Sequence, residues 1–329
     1  MMSEILVEAQ DLRKVYGEKV VALAGVSFRV HAGEIYGLLG PNGAGKTTTV
    51  RILATLTQPT AGRALVAGFN VVSDGLKVRR AIGYVGQGTG VDQHLTGREN
   101  LWVQGQLRGM GGAALRRRID ELLELVGLTE AADRLAREWS GGMRRRLDLA
   151  LGLIHRPRLL FLDEPTTGLD PESRMMLHRQ LRMLAAESGI AVLLTTHYLE
   201  EADRLSHRIG IIDRGRIVAE DTPDALKARI HGDILILTCK REEDVPRLAD
   251  SLRSLEPVRE LQIHGRQILV TVEDGAAAMP ALMAAIGGDH LARIELRKPT
   301  LDEVYLKLTG RTLAEAEASI TEPTKEAAA

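Results

Sequence analysis

A chain of 329 residues exceeds the usual size of a single hydrophobic core, so two domains are expected. Its 43 basic and 44 acidic side chains leave a net charge of −1, which excludes a general electrostatic hold on nucleic acid or anionic lipid. Aromatic residues make up only 3%, too few to build stacking platforms for single-stranded bases, and the single cysteine, Cys239, excludes a disulfide framework and suits a reducing compartment. The N-terminus lacks a basic region followed by an apolar core, and no apolar run approaches the ~18–20 residues of a membrane span. A membrane role would therefore require a separate partner protein.

In chain order, strand-like alternation opens at Ile5-Leu6-Val7-Glu8-Ala9 and continues over 20–30. The run Glu34-Ile35-Tyr36-Gly37-Leu38-Leu39 reads as a buried strand. Directly after it stands Gly40-Pro41-Asn42-Gly43-Ala44-Gly45-Lys46-Thr47-Thr48, a full match to the phosphate-cradling pattern G-x-x-x-x-G-K-[ST], leading into a helix over about 46–56. The glycines let successive N–H groups and the helix N-terminus point at phosphates. Lys46 would reach the β- and γ-phosphates of a nucleoside triphosphate, and the Thr47 hydroxyl would ligate Mg²⁺. Short strands follow at 63–66 and 81–85, then three helical patterns at 96–108, 113–126 and 129–137 with no strand between them. These form a helical insert, about 88–157.

Parallel-sheet character resumes with Leu159-Leu160-Phe161-Leu162 and Ile190-Ala191-Val192-Leu193-Leu194, separated by helix-length segments. After a helix over 223–230 the pattern changes to strand 233–239, helix 243–254, strands 259–264 and 267–272, helix 276–286 and strand 291–297. That β-α-β-β-α-β order is the ferredoxin-like split arrangement, with Cys239 as a buried structural thiol in its first strand. The expected architecture is thus an α/β P-loop NTPase domain at 1–230 and a small α+β ferredoxin-like domain at 231–311. A flexible tail rich in Ala, Glu and Thr is expected at 312–329. The second domain lacks a phosphate loop and any acid–histidine cluster, so its expected role is assembly or regulation.

A phosphate loop alone leaves many NTPases open. Leu159-Leu160-Phe161-Leu162-Asp163-Glu164-Pro165 narrows the choice, because carboxylates at a strand end face the crevice where α/β sheets bind ligands. Asp163 would hold Mg²⁺ through water and Glu164 would polarise the attacking water. Trp139-Ser140-Gly141-Gly142-Met143-Arg144 supplies a third element: Ser140 can cap the following helix, and the glycines allow backbone N–H groups to approach a phosphate. The arginine runs 116–118 and 144–146 fall on predicted helices where successive residues point in different directions, and are expected to form solvated faces with salt bridges.

The segment 139–143 resembles the signature sequence of ATP-binding cassette proteins, Leu-Ser-Gly-Gly-Gln in its usual form, with Trp139 in place of leucine and Met143 in place of glutamine. The resemblance covers about 4–230 and implies an ATP- and Mg²⁺-dependent ATPase. It assigns Tyr16 to stacking on adenine, Gln87 to sensing Mg²⁺ and the γ-phosphate, Asp170 to communication across a dimer, and His197 to contact with the γ-phosphate. In this family the signature segment of one subunit closes on the ATP of the other. A homodimer with ATP sandwiched between nucleotide-binding domains is implied, Ser140 and Gly142 completing the partner's site. The loop 90–100, the segment 140–148 and the closing run 299–311 look most like ATP-binding subunits of daunorubicin- and doxorubicin-resistance exporters. That implies export through a separate integral membrane permease and a peripheral location on the cytoplasmic face of the cell membrane. Asp92, His94 and Arg98, just before the first insert helix, are candidate contacts for the permease. The competing readings are a soluble cassette ATPase acting on ribosomes or DNA, a nucleotide-binding module without turnover, and export of lipid, polysaccharide or ions.

Overall fold

The computed structural model describes residues 4–17, 19–229, 232–287, 290–297 and 299–321. The chain divides into two compact units, one running to Thr222 and including the helix that starts at Leu313, the other spanning Pro223–Thr312.

The first unit begins with β1 (Ile5–Tyr16), β2 (Val20–His31) and β3 (Ile35–Leu39), followed by α1 (Lys46–Leu53), β4 (Ala61–Val66), β5 (Phe69–Asn70), α2 (Gly75–Ala81) and β6 (Ile82–Val85). The insert contributes α3 (Gly97–Leu107), α4 (Gly112–Leu125) and α5 (Gly141–Leu153). The chain then returns through β7 (Leu159–Asp163), α6 (Pro171–Ser188), β8 (Ala191–Thr196), α7 (Leu199–Leu205), β9 (Arg208–Asp213) and β10 (Arg216–Asp221). A six-stranded sheet has the order β10-β9-β3-β8-β7-β6, parallel except for β10, and a four-stranded antiparallel sheet has the order β2-β1-β4-β5.

Strands β3, β7 and β8 are buried along their whole length, which is why they read as continuous apolar runs: a parallel sheet is covered on both faces. The period of two then divides their side chains between two cores. Leu160, Leu162, Val192 and Leu194 join the insert helices and α6 on one face. Leu159, Phe161, Ala191 and Leu193 join α1 and the antiparallel sheet on the other. Register brings the chemistry to one edge, because Leu39 lies beside Thr196, Asp163 beside Thr195, and Val85 beside Leu162. The phosphate loop, the Asp163-Glu164 pair, His197 and Gln87 all follow these carboxyl ends, the edge where such sheets place ligands.

The expected helix over 129–137 is instead two 3-10 turns, Thr129–Ala131 and Ala136–Glu138. Backbone pairing overrides helix propensity there: Ala136 N donates to Leu95 O, Arg137 N to Gln93 O, and Thr96 bridges Leu135. The arginine runs also differ from expectation, although Arg116 and Arg117 are exposed. Arg118 donates to Leu153 O and Ile154 O at the end of α5, and Arg146 to Val126 O and Gly127 O at the end of α4. Each satisfies helix C-terminal carbonyls that would otherwise lack partners. Arg98 is engaged by Asp120 and Asp133 at 2.6 and 3.0 Å and so fastens α3 within the insert.

In the second unit α8 (Pro223–Ala228) precedes β11 (Asp233–Cys239), α9 (Val245–Arg253), β12 (Val258–His264), β13 (Gln267–Val272), α10 (Gly275–Ile286), β14 (Leu291–Arg297) and α11 (Leu301–Thr309). Sheet order β12-β13-β11-β14, antiparallel throughout, is the ferredoxin-like arrangement expected. Its core takes Leu235, Leu237 and the fully buried Cys239 from β11, Val270 from β13, Leu248 and Leu252 from α9, and Leu282 from α10. The boundary lies at 222/223 rather than 230/231, because α8 packs on α11 and Lys307 Nζ donates to Arg229 O. The expected flexible tail opens as a helix, α12 (Leu313–Thr321), that belongs to the first unit and buries Leu313 and Ala316; residues 322–329 lie outside the described residues.

Trp139, the departure from the usual signature leucine, is 3% exposed and packs in the insert core against Gly97 at the start of α3. A Cβ at Gly97 would lie 2.3 Å from the indole Cη2, so the glycine makes room for the tryptophan. Trp139→Leu is expected to destabilise by about 1–3 kcal/mol through the void it leaves, and Gly97→Ala by a similar amount through overpacking. In the Trp139→Leu background Gly97→Ala should become neutral or stabilising. Urea unfolding followed by far-UV circular dichroism measures the cycle, and simple additivity would show that the two residues do not share this space.

Candidate functional site

The residues 40–45 wrap the N-terminus of α1. At Gly40 a Cβ would come within 2.2 Å of Ile212 O, and Gly45, at φ +107°, would bring one to 2.7 Å from Ala22 O, so both positions need glycine for close approach. Helix α1 has no side-chain cap, leaving its first N–H groups to the loop. Its first residue, Lys46, is 4% exposed and donates to Gly40 O at 2.7 Å and Pro41 O at 3.0 Å. Glu164 Oε1 lies 3.4 Å from the same ammonium. Burial pushes the Lys46 ammonium down, and Glu164, then Glu317 of α12 and Asp163, act against that shift.

Glu164 follows β7 with φ +49°, a left-handed conformation that costs a residue with a side chain on the order of 1–3 kcal/mol. Its N–H is held by Thr195 O and Thr195 Oγ1, and its carboxylate also meets His197 Nδ1 at 3.5 Å. The His197 ring, and then Lys46, hold the Glu164 carboxyl below the usual range against the opposing effect of burial. Asp163 accepts from Thr195 Oγ1 at 2.6 Å and Thr47 Oγ1 at 3.0 Å, and Gln87 Nε2 reaches Thr47 Oγ1 at 3.4 Å. Thr47, Asp163 and Gln87 form an oxygen donor set suited to a hard cation that keeps several waters and shares phosphate oxygens. Among the described residues no group of three or more His, Cys, Asp or Glu forms a self-sufficient metal cage.

The structure therefore brings Gly40, Gly43, Gly45, Lys46, Thr47, Gln87, Asp163, Glu164 and His197 to one crevice. Thr48 follows Thr47 half-buried, and Asn42 is exposed on the loop. Ser140, Gly142 and Asp170 form a different cluster. Ser140 Oγ accepts from Met143 N to cap α5, and Asp170 caps α6 through Ser173 N and Oγ. Gly142 lies so close to Ser173 that a Cβ would meet its Oγ at 2.0 Å. No hydrogen bond or ion pair among the described residues joins Ser140 or Asp170 to Lys46, Asp163 or Glu164. Tyr16 ends β1 40% exposed, with the Lys14 ammonium 4.9 Å above its ring.

Thr195, Arg145 and Glu317 were not singled out from sequence. Thr195 had a signal, a hydroxyl residue closing the buried run 191–196 beside Asp163. Arg145 sits in an arginine run whose pattern does not say which member turns inward. Glu317 depends on a tertiary contact that no local pattern encodes.

Comparison with known proteins gives the geometry a family. The family described as ABC transporter matches residues 23–167, and the C-terminal domain described as that of DrrA1-3-like ATP-binding proteins matches 222–309, in agreement with the second unit. The daunorubicin resistance ATP-binding protein DrrA2 of Streptomyces coeruleorubidus is 46% identical over 96% of this chain and 99% of its own length. The doxorubicin resistance ATP-binding protein DrrA of Mycobacterium tuberculosis is 46% identical over 93% of this chain and 94% of its own. A dimeric ATP-binding cassette solved in a post-hydrolysis state with ADP and Pi superposes with a TM-score of 0.60 at 28% identity, covering 66% of this chain and 98% of that one. With its phosphate loop, strand-end acids and two-unit organisation matched along nearly its whole length, the chain belongs to the ABC transporter family as an ATP-binding, ATP-hydrolysing subunit of the daunorubicin- and doxorubicin-resistance type.

Proposed function

We propose that the chain drives export of an amphipathic, drug-like compound through a separate membrane-spanning permease. It would work on the cytoplasmic face of the membrane as a homodimer that encloses ATP between phosphate loop and signature segment. The observation that carries the hydrolytic part is the contact of one carboxylate, Glu164, with both Lys46 and His197, at 3.4 and 3.5 Å. Phosphate oxygens would take over the Lys46 donors now given to Gly40 O and Pro41 O, and would draw the ammonium from Glu164. The freed carboxylate is then placed to orient a water and accept its proton, while His197 contacts the γ-phosphate. Thr47, Gln87 and, through water, Asp163 would hold Mg²⁺, which neutralises charge on the β- and γ-phosphates. Tyr16 offers its exposed ring to adenine. Ser140, exposed at the cap of α5, and the exposed Gly141 beside it are available to the nucleotide of a second copy, with Gly142 buried behind them against Ser173.

No helix among the described residues is long and apolar enough to cross a membrane, and the relatives named for drug resistance support an exporter. A cleft of about 1010 Å³ runs beside the Gln87 loop, lined by Leu56, Leu76, Tyr84, Gly86, Leu107 and Arg108. Leu76 and Leu107 are 68% and 77% exposed there, an apolar surface beside the γ-phosphate sensor that fits a cytoplasmic segment of the permease. Contrary to the expectation of no acid–histidine cluster in the second unit, His290 meets Asp244 at 3.3 Å and Arg247 at 2.9 Å there, a contact between segments far apart in sequence; the unit, which carries no phosphate loop, is assigned to assembly or regulation.

Glu164→Gln should keep ATP affinity, lose turnover by a factor on the order of 10² or more, and accumulate an ATP-bound dimer in sedimentation. Near-normal turnover would remove Glu164 from the role of base. Ser140→Arg and Lys46→Ala proteins, each inactive alone, should recover partial activity when mixed, because one intact composite site forms in the mixed dimer; no recovery despite demonstrated subunit exchange would contradict the shared site. Leu107→Glu should abolish co-purification with the permease from detergent-solubilised membranes while ATP binding persists, and unchanged co-purification together with unchanged vesicle transport would move the docking surface elsewhere.

A further inference from the structure

Arg145 is the second member of the run 144–146 on α5, and its side chain is 11% exposed. Its guanidinium donates from Nε to Pro165 O at 2.8 Å and from Nη2 to Asp163 O and Glu164 O at 3.3 and 3.4 Å. From Nη1 it donates to Gly86 O at 2.7 Å. One planar group thus holds three successive carbonyls around Glu164 and, on its other prong, the residue before Gln87. One turn later on α5, buried Asp148 accepts from Gly90 N at 2.7 Å, with its second oxygen 3.9 Å from Arg145 Nη1. The Gln87 loop is therefore gripped at both ends by an i, i+3 pair on one helix, the helix that Ser140 caps.

We propose that Arg145, supported by Asp148, is a positioning residue that ties the Gln87 loop to the backbone of Glu164, so that displacement of the loop changes where the Glu164 carboxylate points. Glu164 sits in a left-handed conformation that must be held from outside, and carbonyls fixed on both sides by Arg145 and an N–H fixed by Thr195 supply that restraint. Arginine is required because its donors lie in a rigid plane wide enough to reach Gly86 and Pro165 together; a lysine ammonium concentrates its donors at one point. The inference rests on the assignment of Glu164 to water activation.

The test uses the full-length protein with Arg145→Lys, Arg145→Gln and Asp148→Asn, folding being checked by circular dichroism. Both Arg145 variants should bind mant-ATP, and show a KM for ATP, within about twofold of the parent while kcat falls about 10- to 100-fold, as expected for a misplaced catalytic group. Asp148→Asn should lose kcat in the same direction but less. Arg145→Gln combined with Glu164→Gln should be no slower in single-turnover hydrolysis than Glu164→Gln alone, a non-additivity that a purely structural role would not produce. Turnover within twofold of the parent in both Arg145 variants, a loss of kcat matched by loss of mant-ATP affinity, or a multiplicative loss in the double variant would each overturn the proposal. An inactive Glu164→Gln beside near-normal Arg145 variants would bring down this inference alone, whereas an active Glu164→Gln would bring down the assignment of the base with it.

Discussion

A buried ammonium has to be paid for by anions or carbonyls close by, and the site is organised around how Lys46 meets that requirement. The side chain is 4% exposed, its charge is opposed by burial, and its partners are two loop carbonyls and the carboxylate of Glu164. These partners are what a triphosphate would replace. His197, 3.5 Å from the same carboxylate, and then Lys46 hold the Glu164 carboxyl below its usual range against the opposing effect of burial. On the proposed function, nucleotide entry and release of the Glu164 carboxylate would be coupled through this one shared ion pair.

That pairing exists because of sheet register. Lys46 opens the helix after β3, Glu164 follows β7 and His197 follows β8, and the parallel alignment of these neighbouring strands brings their carboxyl ends to one edge. The two-sided burial that makes the strands apolar also explains why Asp163 needs Thr195 and Thr47 as partners: an acid at the end of a buried strand must have its oxygens satisfied.

Much of this was legible in the sequence because it is local. The apolar runs at 35–39 and 159–162 announced β3 and β7, and strands 233–239 and 291–297 were read with the bounds observed, since alternation and turn residues are short-range signals. The phosphate loop and the strand-end acids were legible because their chemistry fixes residue type at fixed spacing. What escaped was tertiary. Backbone pairing of 135–137 with 93–96 displaced a helix, packing of α8 on α11 moved the domain boundary, and contact with the first unit gave order to α12. Arg118, Arg145 and Arg146 looked like surface charge and instead serve carbonyls of distant segments, which no periodicity within their own helices encodes. The tryptophan at the signature segment resolves in the same way: Trp139 turns inward against Gly97, while Ser140 and its cap remain exposed.

On the proposed function, each ATP would be held by the Lys46 side of one subunit and the Ser140 side of another. The most direct measurement is a structure of the wild-type protein with Mg²⁺ and a non-hydrolysable ATP analogue. The expected result is a symmetric dimer in which Lys46 Nζ has left Glu164 for the phosphates and Ser140 from the opposite subunit lies within hydrogen-bond distance of the γ-phosphate. A nucleotide-loaded monomer, or a dimer with Lys46 still paired to Glu164 and Ser140 remote from both nucleotides, would contradict it.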